Sequence, residues 1–166
     1  MLDRRHKSWS RPIFVSVSLL FVAYLVWEIG FPHRDYTSGP VPLAEANGCP
    51  IPLPGSARNI QFYKWRQWNL FVEYVRFEAS PQECLGHMQK VLEHWRSVFS
   101  APDYPDHEPP KDIEETPTEA LGEQFDVTWF DVQNIRKGKI AGGGGSGVPM
   151  IWVDTERGVF YYRLTD

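Results

Sequence analysis

The chain has 166 residues, 14% of them aromatic, which allows one ordinary domain with an appendage and gives that domain enough apolar surface to fold without metal ions. The formal net charge is −4, and residues 1–12 hold four of the 17 basic residues but one of the 21 acidic residues, so the remaining body is acidic. An acidic body lacks the basic face that neutralises phosphates, which argues against general nucleic-acid binding.

A long apolar stretch follows the basic tail at 1–12. Residues 13–31 contain one strongly charged side chain, Glu28, near their end. As a helix they would rise about 28 Å, close to the thickness of the hydrocarbon core of a bilayer. The pattern predicts an uncleaved transmembrane signal anchor, hence a single-pass protein of the inner membrane. A cleaved signal peptide and a soluble protein with a buried helix are the alternatives.

The charges that flank the apolar stretch predict its orientation. The basic residues lie mainly before it, so the positive-inside rule places the N-terminus in the cytoplasm and the later residues in the periplasm or outside the cell. Residues 32–55 are rich in proline and show no apolar periodicity, which predicts an extended stalk. Residues 56–166 would then form an extracytoplasmic domain.

Two cysteines lie at the end of the stalk and at the start of the next structured segment. Cys49 and Cys84 are a candidate disulfide if the domain lies in an oxidising compartment. The spacing is equally compatible with two buried or free thiols. A reactive Cys84 at a helix N-terminus is a third interpretation.

The first half of the domain has the pattern of two strands and a helix. Residues 59–63 and 70–79 are rich in aromatic and β-branched side chains and predict a hairpin. Ser80, Pro81 and Glu83 form a capping box that starts a helix. From Cys84 to Trp95 an apolar stripe at helical spacing predicts that this helix packs on the sheet.

The second half predicts loops and a closing hairpin. An acidic, proline-rich loop is expected at 101–119 and a glycine-rich loop at 138–149, and between them residues 125–130 return to apolar, partly β-branched sequence. Residues 150–154 and 159–164 flank a turn whose left-handed position suits Gly158. The predicted fold class is therefore α+β: a transmembrane helix, then a two-layer domain with a mainly antiparallel sheet of four or five strands and one long helix on one face.

The glycine-rich stretch Ala141 to Pro149 contains formal matches to nucleotide-binding motifs. A dinucleotide site needs a helix after the glycines, whereas a strand-like segment follows here, and the Lys-Ser/Thr pair of a Walker A loop is missing. A flexible exposed loop is the favoured interpretation. A weak anion site formed with Arg136, Lys137 and Lys139 is the alternative.

No pattern indicates a metal, a cofactor or a catalytic group. His87 and His94 lie two helical turns apart, too far to share one metal ion, and we interpret them as solvent-facing. The glycine-rich stretch also lacks the complete nucleophile-elbow motif. The sequence therefore favours a non-enzymatic domain.

The predicted function is a membrane-anchored extracytoplasmic interaction or binding domain, with residues 13–31 in the membrane and a protein partner or a second copy as the binding partner. The alternative is an extracytoplasmic enzyme or a module that binds carbohydrate or peptide on the sheet face opposite the helix. The alternative to ligand binding there is that the acidic loop or another copy of the domain covers that face. The candidate ligand-binding residues there are Tyr74, Arg76, Trp152, Asp154, Tyr161 and Arg163.

Overall fold

The structure is a computed structural model that describes residues 10–31, 33–68, 70–98, 109–113, 127–143 and 147–166, without the side chains of 10–14, 28 and 29. In chain order the elements are helix α1 (Ser10–Gly30), strands β1 (His33–Tyr36), β2 (Arg58–Gln67) and β3 (Leu70–Glu78), helix α2 (Pro81–Val98), and strands β4 (Lys111–Asp112), β5 (Gly138–Gly142), β6 (Met150–Asp154) and β7 (Val159–Thr165). Short 3-10 turns lie at Leu43–Glu45 and Val132–Asn134.

The strands of the described residues form one seven-stranded sheet in the order β1-β2-β3-β7-β6-β5-β4, and every neighbouring pair is antiparallel. The predicted fold, with four or five strands behind a transmembrane helix, is wrong. Strands β1, β4 and β5 were missed because they are polar, very short or glycine-rich, so backbone pairing alone defines them. Residues 127–130 are apolar and partly β-branched in sequence, and they form a turn in which Phe130 N–H donates to the Val127 carbonyl oxygen at 2.8 Å.

The predicted membrane anchor is also corrected. In the described part of the chain, no helix combines the length and the apolar character that crossing a membrane requires. The prediction of a single-pass protein with a signal anchor at 13–31 is wrong on this criterion, and the orientation and location derived from it fall with it. The side chains at 15–27 are exposed.

Helix α2 covers one face of the sheet and buries the main core. Its capping box is confirmed: Glu83 N–H donates to Ser80 Oγ at 3.3 Å, and Ser80 N–H donates to Glu83 Oε2 at 3.2 Å. The apolar stripe that follows packs on alternate residues of the central strands. This first core includes Ile60, Phe62, Val75, Phe77, Cys84, Met88, Val91, Leu92, Ile151, Val153, Phe160, Tyr162 and Leu164.

The opposite face of the sheet is covered by residues 127–135, a segment without regular strands or α-helix. Phe130 lies at the centre of this second core and makes edge contacts with the rings of Tyr74, Trp152 and Tyr161. Val127, Val132 and Ile135 of the same segment are buried beside it. The sheet is therefore buried on both faces.

The segments predicted as a stalk and as a glycine-rich loop both contact the sheet. In the first, Ala46 and Ile51 belong to the main core, and Val41 forms an isolated antiparallel bridge with Ile60. In the second, 138–142 is strand β5, which pairs with β6 so closely that a Cβ at Gly138 or Gly142 would overlap the carbonyl oxygen of Val153 or Pro149. Residues 144–146 of that loop, and 101–108 and 114–119 of the acidic loop, lie outside the described residues.

The turn between β6 and β7 confirms the predicted left-handed glycine. Gly158 has φ +67°, and a Cβ there would overlap the carbonyl oxygen of Ala79. We expect Gly158→Ala to lower the free energy of unfolding by more than about 1–2 kcal/mol, the cost of a left-handed residue with a Cβ, because the added Cβ must also displace the Ala79 carbonyl. Urea denaturation gives the value. The matched control is Gly86→Ala in α2, where an added Cβ meets nothing within 4 Å and should stabilise the helix. Equal effects of the two substitutions would contradict the assigned turn.

Candidate functional site: a cavity beside helix α2

A cavity of about 460 Å³ lies between α2 and residues 50–54. One wall is the segment 50–54, in which every second residue is proline. Proline favours an extended chain and has no backbone N–H to donate. The sheet supplies the floor through Glu73 and Tyr162. The helix supplies the other wall through residues at the i, i+3, i+4, i+7 and i+8 spacing of one helical face: His87, Lys90, Val91, His94 and Trp95.

His87 is the buried polar group of this wall. Its side chain is 8% exposed and makes edge contacts with the rings of Phe77 and Phe160. Desolvation, with a smaller contribution from the charge of Lys90, lowers the pKa of His87 to about 4, so the imidazole is neutral at pH 7. Its Nε2 atom has no hydrogen-bond partner among the residues that the structure describes. The expectation of a solvent-facing His87 is therefore wrong, whereas His94 is exposed.

The floor of the cavity carries two further polar groups. Burial raises the pKa of Glu73, and the charges of Lys64 and Arg66 oppose that rise. Burial also raises the pKa of Tyr162, whose hydroxyl is hydrogen-bonded to Trp95. The Trp95 indole is a donor only, so the Tyr162 oxygen accepts this bond. Neutral His87, the hydroxyl of Tyr162 and the carboxyl of Glu73 thus line a largely apolar space.

Both cysteines are free thiols and contact the first core rather than each other through a disulfide. Burial raises the pKa of each thiol to about 11, so neither forms a thiolate at neutral pH. A thiol rather than a thiolate is a poor nucleophile. The arrangement gives no support to the interpretation of Cys84 as a reactive group.

The six candidate ligand-binding residues do not form one open surface. Tyr74, Trp152 and Tyr161 are buried beneath residues 127–135. Asp154 is also buried and is used inside the β6–β7 turn, where its carboxylate accepts the N–H groups of Glu156 and Arg157 at 2.9 and 2.8 Å.

Two of the six are arginines, and they lie on neighbouring strands of the sheet. Arg163, half-buried, pairs with Tyr74 and Met150 across the neighbouring strands. Arg76 reaches the surface at the edge of the segment 127–135, beside Tyr161.

A polar cleft of about 440 Å³ lies at that edge, on the face of the sheet opposite α2. Its charged members are joined in pairs: Arg76 to Glu78 at 2.8 Å, and Arg157 to Asp154 and, at 3.9 Å, to Asp131. The remaining lining residues are Pro40, Asn59, Gln61, Thr128, Trp129 and Tyr161. This cleft is smaller, shallower and more polar than the cavity beside α2, which is called the helix cavity below.

The predicted anion site at Arg136, Lys137 and Lys139 stays a prediction. Arg136 and Lys137 lie exposed in the bend before β5, and Lys139 forms an ion pair with Asp112 at 2.8 Å. The loop amides that would complete the site include 144–146, outside the described residues. Within the described ranges, no group of three or more His, Cys, Asp and Glu residues is placed to hold a metal ion.

The sequence did not lead us to predict the cavity beside α2, although one pattern in it indicates such a site. Trp95, His87, Val91 and His94 follow helical spacing, and 50–54 alternate proline with apolar residues, a pattern suited to a chain that packs without strand pairing. What the sequence does not contain is the distance between these two segments.

Comparisons with protein-family models, with curated proteins and with solved structures found no match for this chain. Function must therefore be argued from the site alone.

Proposed function

We propose that this chain is a non-enzymatic binding domain and that the cavity beside α2 takes a small ligand with an apolar body and a hydrogen-bonding group. The observation that carries this proposal is a largely apolar cavity whose lining includes a few polar side chains, among them His87, Glu73 and Tyr162. Cavities of this size and character are the usual form of small-molecule sites.

The polar groups of the cavity favour recognition over catalysis. His87 is neutral and deeply buried, so it suits a hydrogen bond to a ligand better than it suits proton exchange with solvent. Trp95 and Val91 supply flat and branched apolar surface for the ligand body.

A neutral fluorescent probe, N-phenyl-1-naphthylamine, tests whether the cavity is accessible to such molecules. We expect saturable binding with increased emission. The comparison that decides the site uses His94→Trp, at the cavity wall, and Glu93→Trp, the adjacent exposed position that does not line it. We expect the first substitution to weaken binding about tenfold or more, which is about 1.4 kcal/mol, and the second to leave it unchanged.

If the probe binds only to the exposed apolar side chains at 15–27, both tryptophan variants will bind it with equal affinity. That outcome, or non-saturable emission in the unmodified protein, would overturn the assignment of the cavity. Circular dichroism of both variants checks that the fold is retained.

A further inference from the structure

The polar cleft beside residues 127–135 has an unusual backbone feature in its wall. The pairing of β2 with β3 shifts register between Arg58 and Gln61, which marks a β-bulge, and Asn59 within it has φ +49°. Bulges re-aim side chains and recur beside functional sites. Here the bulge turns Asn59 towards β3, where its Nδ2 donates to Glu78 Oε2 at 2.8 Å and its carbonyl oxygen accepts from Arg76 Nη1 at 3.4 Å.

These contacts hold the charged groups of the cleft in fixed positions. Arg76 donates to Glu78 Oε1 at 2.8 Å and is also hydrogen-bonded to Tyr161. Burial alone would raise the pKa of Glu78, but its hydrogen bonds from Asn59 and Arg76 and the positive charges of Arg76 and Arg58 lower it, so the carboxylate stays ionised. The guanidinium and the carboxylate are therefore oriented before a ligand arrives.

Charge pairing determines which ligands suit the cleft. Arg76 is compensated by Glu78, and Arg157 is compensated by Asp154 and Asp131, so a phosphate or a carboxylate would have to displace an existing partner. A neutral ligand with several hydroxyl groups needs no such exchange. Each arginine has five N–H donors and each carboxylate about four acceptor positions, which leaves hydrogen-bonding capacity beyond the internal pairs.

Trp129 adds an aromatic surface next to this array of donors and acceptors. The indole is half-buried and is supported by an edge contact with Phe130, at 6.1 Å between ring centroids. A held aromatic ring presents apolar surface at little cost in side-chain entropy. The apolar C–H face of a sugar ring and its equatorial hydroxyls match the ring and the polar groups that surround it.

We propose that this cleft, formed by the bulge at Asn59, the paired Arg76 and Glu78, Arg157 with Asp131, and Trp129, is a second site that binds a neutral carbohydrate. Both the location and the ligand chemistry differ from those of the helix cavity, so the two proposals succeed or fail separately.

Fluorine NMR of protein labelled with 5-fluorotryptophan tests this proposal in the full chain, because Trp129 and Trp95 report the cleft and the helix cavity. The probes are maltotriose, cellotriose and triacetylchitotriose at millimolar concentration, with trigalacturonate as the acidic comparison and a tripeptide, Gly-Ser-Gly, as the peptide comparison. We expect at least one neutral trisaccharide to shift the Trp129 signal in a saturable way and to leave the Trp95 signal in place.

Arg76→Gln removes one charge of the cleft without touching the ring, and we expect it to weaken trisaccharide binding about tenfold, the typical loss for a central contact. Arg96→Gln makes the same change at an exposed position of α2 that lines neither site, and this matched control should bind as the unmodified protein does. Unchanged signals from the remaining tryptophans verify that each variant is folded. The proposal is overturned if none of the neutral trisaccharides shifts Trp129, if the acid or the peptide shifts it more strongly, or if Arg76→Gln binds normally.

Discussion

Replacing Phe130 by alanine is expected to lower the free energy of unfolding by about 3–5 kcal/mol, the cost of deleting a buried phenylalanine. Phe130 is 5% exposed and contacts three aromatic rings on the sheet, with centroid distances of 4.9 Å to Tyr74, 5.8 Å to Trp152 and 5.4 Å to Tyr161. Its removal takes away the edge contacts as well as the buried area. Urea denaturation at pH 7 measures the loss.

Two comparisons make the Phe130 result specific. Phe130→Leu keeps most of the apolar volume and should cost less than half as much as the alanine variant. The near-ultraviolet circular dichroism of Phe130→Ala should also weaken, because Trp152 loses a neighbouring ring. A denaturation midpoint equal to that of the unmodified protein would show that residues 127–135 do not cover this face of the sheet.

Acid is expected to destabilise the protein through His87. The folded-state pKa of about 4 lies below the ordinary 6.5, so unfolded chains bind the proton more readily. Stability from the neutral imidazole is thus fully present above pH 6.5 and is lost as the pH falls towards 4. Between pH 7.5 and pH 5 the loss is about 2 kcal/mol, since each unit of pKa difference is worth about 1.4 kcal/mol.

The variant His87→Phe isolates this contribution. It removes the titrating group and keeps a ring of similar size against Phe77 and Phe160. Between pH 7.5 and pH 5 the free energy of unfolding of this variant should therefore fall by about 2 kcal/mol less than that of the unmodified protein. His94→Phe, at the exposed position of the same helix, should keep the full acid dependence. Glu73, whose raised pKa favours the folded state at low pH, acts equally in all three proteins and cancels in the comparison. Identical pH profiles for the three proteins would contradict the burial of His87.

The parts of the fold that the sequence predicted are those set by local chemistry. The capping box at Ser80 and Glu83 satisfies helix N–H groups within four residues of chain, and Gly158 meets a turn requirement that few residues satisfy. The alternation of 70–79 likewise separates the two faces of β3. Such signals involve neighbours along the chain, so one sequence contains them in full.

What the sequence did not reveal depends on contacts between distant segments. Strand β1 reads as charged and polar, yet Asp35 pairs with Lys64 through the backbone. Residues 13–31 have an apolar composition that suggests a bilayer, but among the described residues no helix is long and apolar enough to cross one. His87 breaks the apolar pattern of its helix, and its burial follows from the position of Phe77 and Phe160 on the sheet.

The candidate sites show the same division. Arg76 and Tyr161 were selected because alternation places them on the face opposite α2, and both do border the polar cleft. Trp152 and Tyr74 share that face but lie beneath Phe130. Their burial was not predicted because the covering segment, 127–135, has no apolar periodicity. The role of Asn59 depends on a bulge, which a single strand sequence does not specify.

The position of β7 in the sheet has a consequence for how the chain folds during synthesis. β7 (Val159–Thr165) lies between β3 and β6, and its Tyr162 pairs with Val75, far earlier in the sequence. A chain that grows from its N-terminus therefore presents one unpaired edge of β3 until residue 165 has emerged. Contacts between such distant segments slow folding and leave hydrophobic strand edges open to aggregation. The aromatic centre of this domain is thus the last part to become protected in the cell.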